Sequence, residues 1–237
     1  MTTSKFWNWA ENDVDERVLY LEGVISEETW WGDEVTPKIF RDDLHSGSGD
    51  ITVWLNSPGG DCFAAAAIYT MLKEYPSKIT VKISALAASA ASVVAMAGDE
   101  VLMSPASMMM LHNPATIAIG DSEEMLKAKN MLDEIKESII NAYAAKSGHS
   151  RDTISDWMDG ELWMDVNKAM RFGFADGVLS DPVIAPQNKG MVFSRKAVTA
   201  SLLNKIMSKA DQPRPGTLYD NIEKRLIEYK KNNILRK

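Results

Sequence analysis

The chain has 237 residues, of which 45% are hydrophobic and 25% charged, a balance typical of one soluble globular domain. The net charge is -7, and the single cysteine, Cys62, excludes an intramolecular disulfide and a cysteine-rich zinc site. The N-terminus has no basic start followed by an apolar stretch, and the most apolar run, 85–97, is shorter than the roughly 18 residues that span a bilayer. We therefore predict a cytoplasmic protein without a secretion signal or membrane segment.

Strands and helices alternate along the first half of the chain. Runs of β-branched and aromatic residues predict strands at 17–25 and 51–56, and further strands are predicted at 79–84, 100–104 and 107–111. Helices are predicted at 37–44, 63–75 and about 88–97, the last within the apolar run, which we interpret as a buried helix. This order favours an α/β fold of repeated β-α-β layers with largely parallel strands.

The second half of the chain is helical and ends in a basic segment. A long helix is predicted at 121–145, followed by short helices near Ser150 and at 165–172. Residues 186–237 carry 12 Lys or Arg against 4 Asp or Glu, which suggests an interaction tail on an acidic body. Within it, 211–216 reads as a linker and 220–232 as a short amphipathic helix. We divide the chain into an N-terminal segment (1–16), a domain (17–183) and a basic, partly disordered or helical tail (184–237).

Two segments at strand-to-helix turns are candidates for parts of an active site. In Asn56-Ser-Pro-Gly-Gly60, adjacent glycines let backbone amides approach a ligand closely, as in half of an oxyanion hole, although the same residues also form ordinary turns. In Ala87-Ala-Ser89-Ala-Ala-Ser92, Ser89 stands where a strand meets a helix and is a candidate nucleophile. Small residues there also suit tight helix packing, and Ser92 is the fallback nucleophile.

His112 is the candidate general base. It follows the apolar run Met108-Met-Met-Leu111, and a histidine at a strand end can reach into a cleft and take a proton near neutral pH. His45 lies in a Gly- and Ser-rich loop and His149 in a helix connection, so both are poorer candidates. Cys62 is a weak candidate nucleophile because no histidine follows it in a recognisable context.

Several ordered motifs within 17–179 resemble the Clp protease family, peptidase family S14: Asn56-Ser-Pro-Gly-Gly60, Ala87-Ala-Ser89 with Ala97-Gly98, Met109-Met-Leu-His112-Asn-Pro114 and Phe172-Gly173-Phe-Ala-Asp176. Trp30-Trp-Gly-Asp33 and the doubled Ala-Ala-Ser resemble its phage and prophage branch of ClpP-related head maturation proteases. The resemblance implies a ClpP/crotonase-like fold from which a long handle helix protrudes.

The resemblance also implies roles for single residues. Ser89 would attack the peptide carbonyl, His112 would accept its proton, and the amides of Gly60 and Ala90 would form the oxyanion hole. The family expects an aspartate before the helix that ends at Phe172-Gly173. This sequence departs from that pattern, because Glu161 stands twelve residues before Gly173. Asp159 is the alternative acid.

The implied assembly is a homo-oligomeric ring, a heptamer or tetradecamer, associating through 121–145 and the preceding 115–120.

Only about sixteen residues precede the first strand and they are unlike the family's gating segment, so we expect an ATP-independent serine endopeptidase. Its expected substrate is phage capsid or scaffold protein, in the bacterial host cytoplasm or the phage procapsid. The alternatives are a Clp-type peptidase working with an ATP-dependent unfoldase, an inactive ring subunit and a crotonase-like CoA-ester enzyme. We predict no cofactor and no metal, and the tail lacks the interleaved aromatic residues typical of nucleic-acid binding.

Overall fold

The computed structural model describes residues 7–11, 17–25 and 37–179. The chain divides into two units, Met1–Lys189 and Gly190–Lys237, and every described residue belongs to the first. The Trp30-Trp-Gly-Asp33 motif, the basic tail and the predicted helix at 220–232 lie outside the described residues. Across those ranges, no helix is both long enough and apolar enough to cross a membrane.

Strands and helices follow one another in the predicted α/β order. The strands are β1 (Trp7–Glu11), β2 (Arg17–Glu22), β3 (Ile51–Ser57), β4 (Ile79–Ala88), β5 (Glu100–Met103), β6 (Met108–Leu111), β7 (Leu162–Asp165) and β8 (Gly177–Val178). The helices are α1 (Pro37–Leu44), α2 (Cys62–Lys73), α3 (Ala90–Ala95), α4 (Ser122–Ser147), α5 (Arg151–Asp159) and α6 (Val166–Arg171).

The strands form one mostly parallel sheet in the order β1-β2-β3-β4-β5-β8, with β6 joined to β4 and β7 joined to β6. All pairs are parallel except β1 with β2 and β6 with β7. Parallel strands need crossover connections, and α2 and α3 supply them between β3, β4 and β5. The α/β fold with a mostly parallel sheet is therefore confirmed.

Strand β4 pairs with two strands in succession on one side. Its first half, Thr80–Ile83, pairs with β5, whereas Leu86–Ala88 pair with Met108–Met110 of β6. On its other side the register with β3 shifts between Leu55 and Ser57. The end of β4 is thereby held between the Ser57 end of β3 and β6, next to the segments that the sequence singled out.

Local sequence explains where the main helices begin and end. The Asp61 carboxylate accepts bonds from the first amides of α2, and the Asp121 carboxylate does the same for α4. Helix α4 ends at Gly148, whose φ of 73° is in the left-handed region that favours glycine. The apolar faces of these elements enclose one main core, whose largest fully buried side chains include Leu19, Phe40, Leu55, Tyr143 and Phe174.

Three features differ from the sequence-based expectations. Residues 85–88, which we interpreted as part of a buried helix, continue β4, and α3 spans only Ala90–Ala95. Trp7–Glu11, placed in the N-terminal segment, forms an edge strand beside β2. Strand β7 was not predicted, because Leu-Trp-Met-Asp is too short for a clear alternating pattern.

Candidate active site

Ser89 lies at the turn between β4 and α3, in a backbone conformation that residues other than glycine rarely adopt. Its φ is 56° and its ψ is -129°. Such conformations cost about 1–3 kcal/mol and persist where the surrounding structure holds them, commonly at active sites. Here the Ser89 amide donates to the Met110 carbonyl of β6 at 2.9 Å. The half-buried Ser89 side chain is thus presented at the end of the parallel strands.

His112 follows the last residue of β6 directly. Because Ala88 of β4 is in register with Met110, the chain that leaves β6 passes beside the β4–α3 turn. The His112 Nε2 atom lies 2.6 Å from the Ser89 Oγ atom, and the imidazole is half-buried. The two predicted residues, 23 positions apart in sequence, are therefore brought into hydrogen-bonding contact.

The Gly59-Gly60 pair lies against the same turn. A methyl group added to Gly59, whose φ is 96°, would stand 2.7 Å from the Ala88 carbonyl oxygen and 2.8 Å from Ser89 Cβ. A methyl group on Gly60 would stand 2.0 Å from the Ile25 carbonyl oxygen. Only glycine permits both approaches, and this close approach is the reason for the doubled glycine.

Hydrogen bonds around this loop leave the Gly60 amide outside the strand pairing. The Ile25 amide donates to the Gly59 carbonyl at 3.0 Å, and the Asp61 amide donates to the Ile25 carbonyl at 2.9 Å. The Gly59 amide donates to Ser57 Oγ at 3.1 Å. Gly60 lies between these bonds, and its own amide takes no part in them.

The two candidate acids stand in different surroundings. Asp159, at the end of α5, has a 55% exposed side chain that accepts bonds from Lys136 Nζ and Asn113 Nδ2, each at 2.7 Å. The bonds from Lys136 and then Asn113 lower the pKa of Asp159 below its ordinary value. Glu161 is half-buried, has a φ of 51°, and accepts a 3.2 Å bond from the Trp163 indole.

Three weaker candidates, Cys62, His149 and His45, take no part in the Ser89–His112 contact. Burial, and then the neighbouring Asp61 carboxylate, raise the pKa of the Cys62 thiol, whereas a nucleophilic cysteine needs a lowered pKa. The His149 ring packs at 4.8 Å from the Trp157 ring. His45 is exposed, and its ring centroid is 6.5 Å from that of Tyr75.

Ser92, the fallback nucleophile, is fully buried. Its hydroxyl donates to the Ser89 carbonyl at 2.6 Å and lies 2.8 Å from the Tyr143 hydroxyl on α4. Sequence reasoning missed this contact of Tyr143, because 51 positions separate the two residues and no local pattern links them.

A serine hydroxyl bonded to an imidazole, at a strained turn after a parallel strand, is the arrangement of serine-type hydrolases. Comparison with known proteins gives a narrower class. Residues 5–182 match the family described as Clp protease. The chain therefore belongs to the Clp protease family and is a serine-type peptidase.

Curated relatives and a solved structure agree with this assignment. The chain is 30% identical over 171 residues to "ATP-dependent Clp protease proteolytic subunit 1" of Chlamydia muridarum, covering 70% of this chain and 88% of that one. It is 30% identical over 166 residues to "ATP-dependent Clp protease proteolytic subunit" of Bacteroides fragilis, covering 69% and 79%. The fold is similar to that of "ClpP1 N165D mutant from Listeria monocytogenes", with a TM-score of 0.60 and 22% identity over 69% of this chain and 91% of that chain. Membership of the Clp protease family argues against the alternative of a crotonase-like CoA-ester enzyme.

Proposed function

We propose that this protein hydrolyses peptide bonds with Ser89 as nucleophile and His112 as general base. The observation that carries the proposal is the 2.6 Å contact between Ser89 Oγ and His112 Nε2. In this scheme His112 accepts the hydroxyl proton as Ser89 attacks the carbonyl carbon, and then protonates the leaving amine. Water hydrolyses the resulting acyl-enzyme, with His112 acting as base for a second time.

The amides of Gly60 and Ala90 are proposed as the oxyanion hole. Ala90 is the first residue of α3, so its amide has no acceptor within the helix. The Gly60 amide is outside the pairing of its loop with Ile25, and the position of a Cβ on the adjoining Gly59 is 3.0 Å from the Ala90 nitrogen. These observations support two amide donors beside the proposed nucleophile. Removal of one such donor costs about 3–4 kcal/mol of transition-state stabilisation in known enzymes.

Glu161 is our proposal for the third member of the triad. Strands β6 and β7 pair antiparallel, and their last two pairs are Met110 with Trp163 and Leu111 with Leu162. His112 and Glu161 are the residues next to this last pair, so the pairing would bring the two side chains near one another. The Trp163 indole donates to one oxygen of the carboxylate, and a carboxylate accepts up to about four hydrogen bonds, one of which an imidazole N–H could supply.

Asp159 stays the alternative acid. It lies two positions before Glu161, and Lys136 and Asn113 already donate hydrogen bonds to its carboxylate. Its bond to Asn113, the residue after His112, would give it an indirect effect on the imidazole.

A fluorophosphonate serine probe tests the nucleophile and the base together. We expect wild-type protein to form an adduct that mass spectrometry locates on Ser89. Ser89→Ala and His112→Ala should form none, whereas His45→Ala, which changes an exposed histidine far along the chain, should react like wild type. An adduct on another serine, or an adduct on Ser89 that forms equally fast without His112, contradicts the proposal.

A ring of identical subunits is proposed as the working assembly, with α4 and the residues before it as the contact surface. Several apolar side chains are exposed there, which is unusual for a surface helix of a monomer: Ile117, Ile119, Met125, Leu126 and Met131. Native mass spectrometry that finds only the 26.3 kDa monomer would contradict it.

The proposed substrate is phage capsid or scaffold protein, cleaved without ATP. The support is the sequence pattern alone, namely Trp30-Trp-Gly-Asp33 and the doubled Ala-Ala-Ser around Ser89. The relatives from Chlamydia muridarum and Bacteroides fragilis are named as ATP-dependent, which favours the alternative of a partner unfoldase. Purified protein should cleave an assembled capsid or scaffold protein in the absence of ATP, and Ser89→Ala should not. Cleavage that requires an unfoldase and ATP would favour the alternative.

A further inference from the structure

The strained backbone of Ser89 is held by hydrogen bonds on both of its sides. Its amide donates to the Met110 carbonyl, and its carbonyl accepts from the Ser92 amide at 2.9 Å and from the Ser92 hydroxyl at 2.6 Å. The hydrogen bond from the Ser92 amide would by itself close the turn. The additional hydroxyl bond fixes the direction of the Ser89 carbonyl, and with it the ψ angle of the residue.

The Ser92 hydroxyl also contacts Tyr143, which determines the direction of a short chain of hydrogen bonds. Ser92 Oγ has one proton, which it donates to the Ser89 carbonyl, so at the 2.8 Å contact the Tyr143 hydroxyl is the donor. Both side chains are buried. Desolvation by burial raises the pKa of the Tyr143 phenol well above its ordinary value, so it remains a donor at any pH at which the protein works.

Tyr143 belongs to α4, not to the layer that carries the nucleophile. Its ring packs edge-on against Phe174 with the centroids 5.8 Å apart, and its exposed fraction is 1%. The hydroxyl is therefore held in place by a packed core. The chain Tyr143 → Ser92 → Ser89 carbonyl joins helix α4 to the backbone of the nucleophile.

We propose that Ser92 and Tyr143 are positioning residues that hold the Ser89 backbone so that its Oγ stays directed at His112 Nε2. This inference rests on the proposed role of Ser89. It gives Ser92 a function other than that of a second nucleophile. It also makes the reactivity of Ser89 depend on the position of α4.

The test compares Ser92→Ala, Tyr143→Phe and the double variant. Two quantities are measured on the full chain: the second-order rate constant of labelling by the fluorophosphonate probe, and the midpoint of thermal unfolding. A third measurement, kcat and KM for a fluorogenic peptide, separates positioning of the nucleophile from substrate binding.

Ser92→Ala should lower the labelling rate constant and kcat about tenfold with little change in KM, because the bond to the Ser89 carbonyl is lost. It should also lower the unfolding midpoint, because the Tyr143 hydroxyl is left buried without a partner. In the double variant that hydroxyl is absent, so the midpoint should recover while the labelling rate constant stays low. Tyr143→Phe alone keeps the Ser92 bond and should reduce labelling only about two- to threefold.

Ser107→Ala is the matched control. Ser107 repeats the same local geometry: it is buried, its hydroxyl donates to the Ser104 carbonyl at 2.8 Å, and its amide donates to the same carbonyl at 2.9 Å. Unlike Ser92, Ser107 does not bond to a residue with a strained backbone. Among the described residues, the non-glycine residues with a positive φ are Ser89 and Glu161, and Ser104 is not one of them. Ser107→Ala should therefore label at the wild-type rate.

Two outcomes overturn the inference. The first is wild-type labelling by Ser92→Ala; the second is a labelling rate that recovers together with the unfolding midpoint in the double variant, which would mean that the contact serves only packing. Failure of wild-type protein to label at Ser89 is a different result, because it removes the proposed nucleophile itself.

Discussion

Glu161→Gln is expected to lower kcat by about 10⁴-fold, the loss seen when the acid of a serine triad is made an amide. The amide can still accept the bond from the Trp163 indole, so the local fold should persist. Its NH₂ group cannot accept a hydrogen bond from the imidazole N–H of His112 as a carboxylate oxygen does, and the imidazole is then held in the wrong tautomer. Steady-state hydrolysis of a fluorogenic peptide measures the loss.

Asp159→Asn is the matched control for this change. It also converts a carboxylate to an amide, two positions away, and it removes the charge partner of Lys136. Exposed ion pairs contribute little to stability, and we expect kcat within about threefold of wild type. Glu161→Asp should retain part of the activity, with a loss of about tenfold from the shorter reach. A large loss in Asp159→Asn with near-normal Glu161→Gln would assign the third position to Asp159.

Gly59→Ala should reduce kcat by about 10²- to 10³-fold, the effect of misplacing an oxyanion donor. The new methyl group would lie 2.8 Å from Ser89 Cβ and 3.0 Å from the Ala90 nitrogen, so either the nucleophile or the proposed donor must move. Displacements of about 1 Å at a reacting centre are sufficient for losses of this size. The comparison is made at saturating peptide, so that a change in KM does not contribute.

Gly49→Ala separates this contact from simple backbone strain. Gly49 has a φ of 97° against 96° at Gly59, so both substitutions place alanine in the same unfavourable conformation. A methyl group on Gly49 meets nothing within 4 Å, and we expect a small loss of stability with kcat unchanged. Equal loss of kcat in both variants would show that the Gly59 contact with the turn has no catalytic importance.

The sequence predicted those parts of the molecule whose signals are local. The β-branched and aromatic residues of 51–56 predicted β3, and helical periodicity over 121–145 predicted α4, which the Asp121 carboxylate caps. Ser89 and His112 could be selected because each stands at a strand end beside a recognisable motif. Their contact at 2.6 Å agrees with that selection.

Other parts depended on partners that are distant in sequence. Residues 85–88 are Ala-Leu-Ala-Ala, a composition that favours a helix, and they are a strand because Leu86–Ala88 pair with β6. Strand β7 forms because β6 offers it an edge, and this pairing is the basis on which we propose Glu161 rather than Asp159 as the acid beside His112. Neither strand pairing produces a periodic pattern in the sequence from which it could have been predicted.

By itself, then, the sequence determined the α/β order, the family motifs and the identity of the serine and histidine, because propensity, capping and glycine turns act over a few residues. Only the tertiary structure decided the positive φ of Ser89, the close approach of Gly59 and the chain from Tyr143 through Ser92. These features arise where segments up to 51 positions apart are packed together. Burial and hydrogen bonding across such separations depend on how the folded core is packed, and local sequence patterns do not predict them.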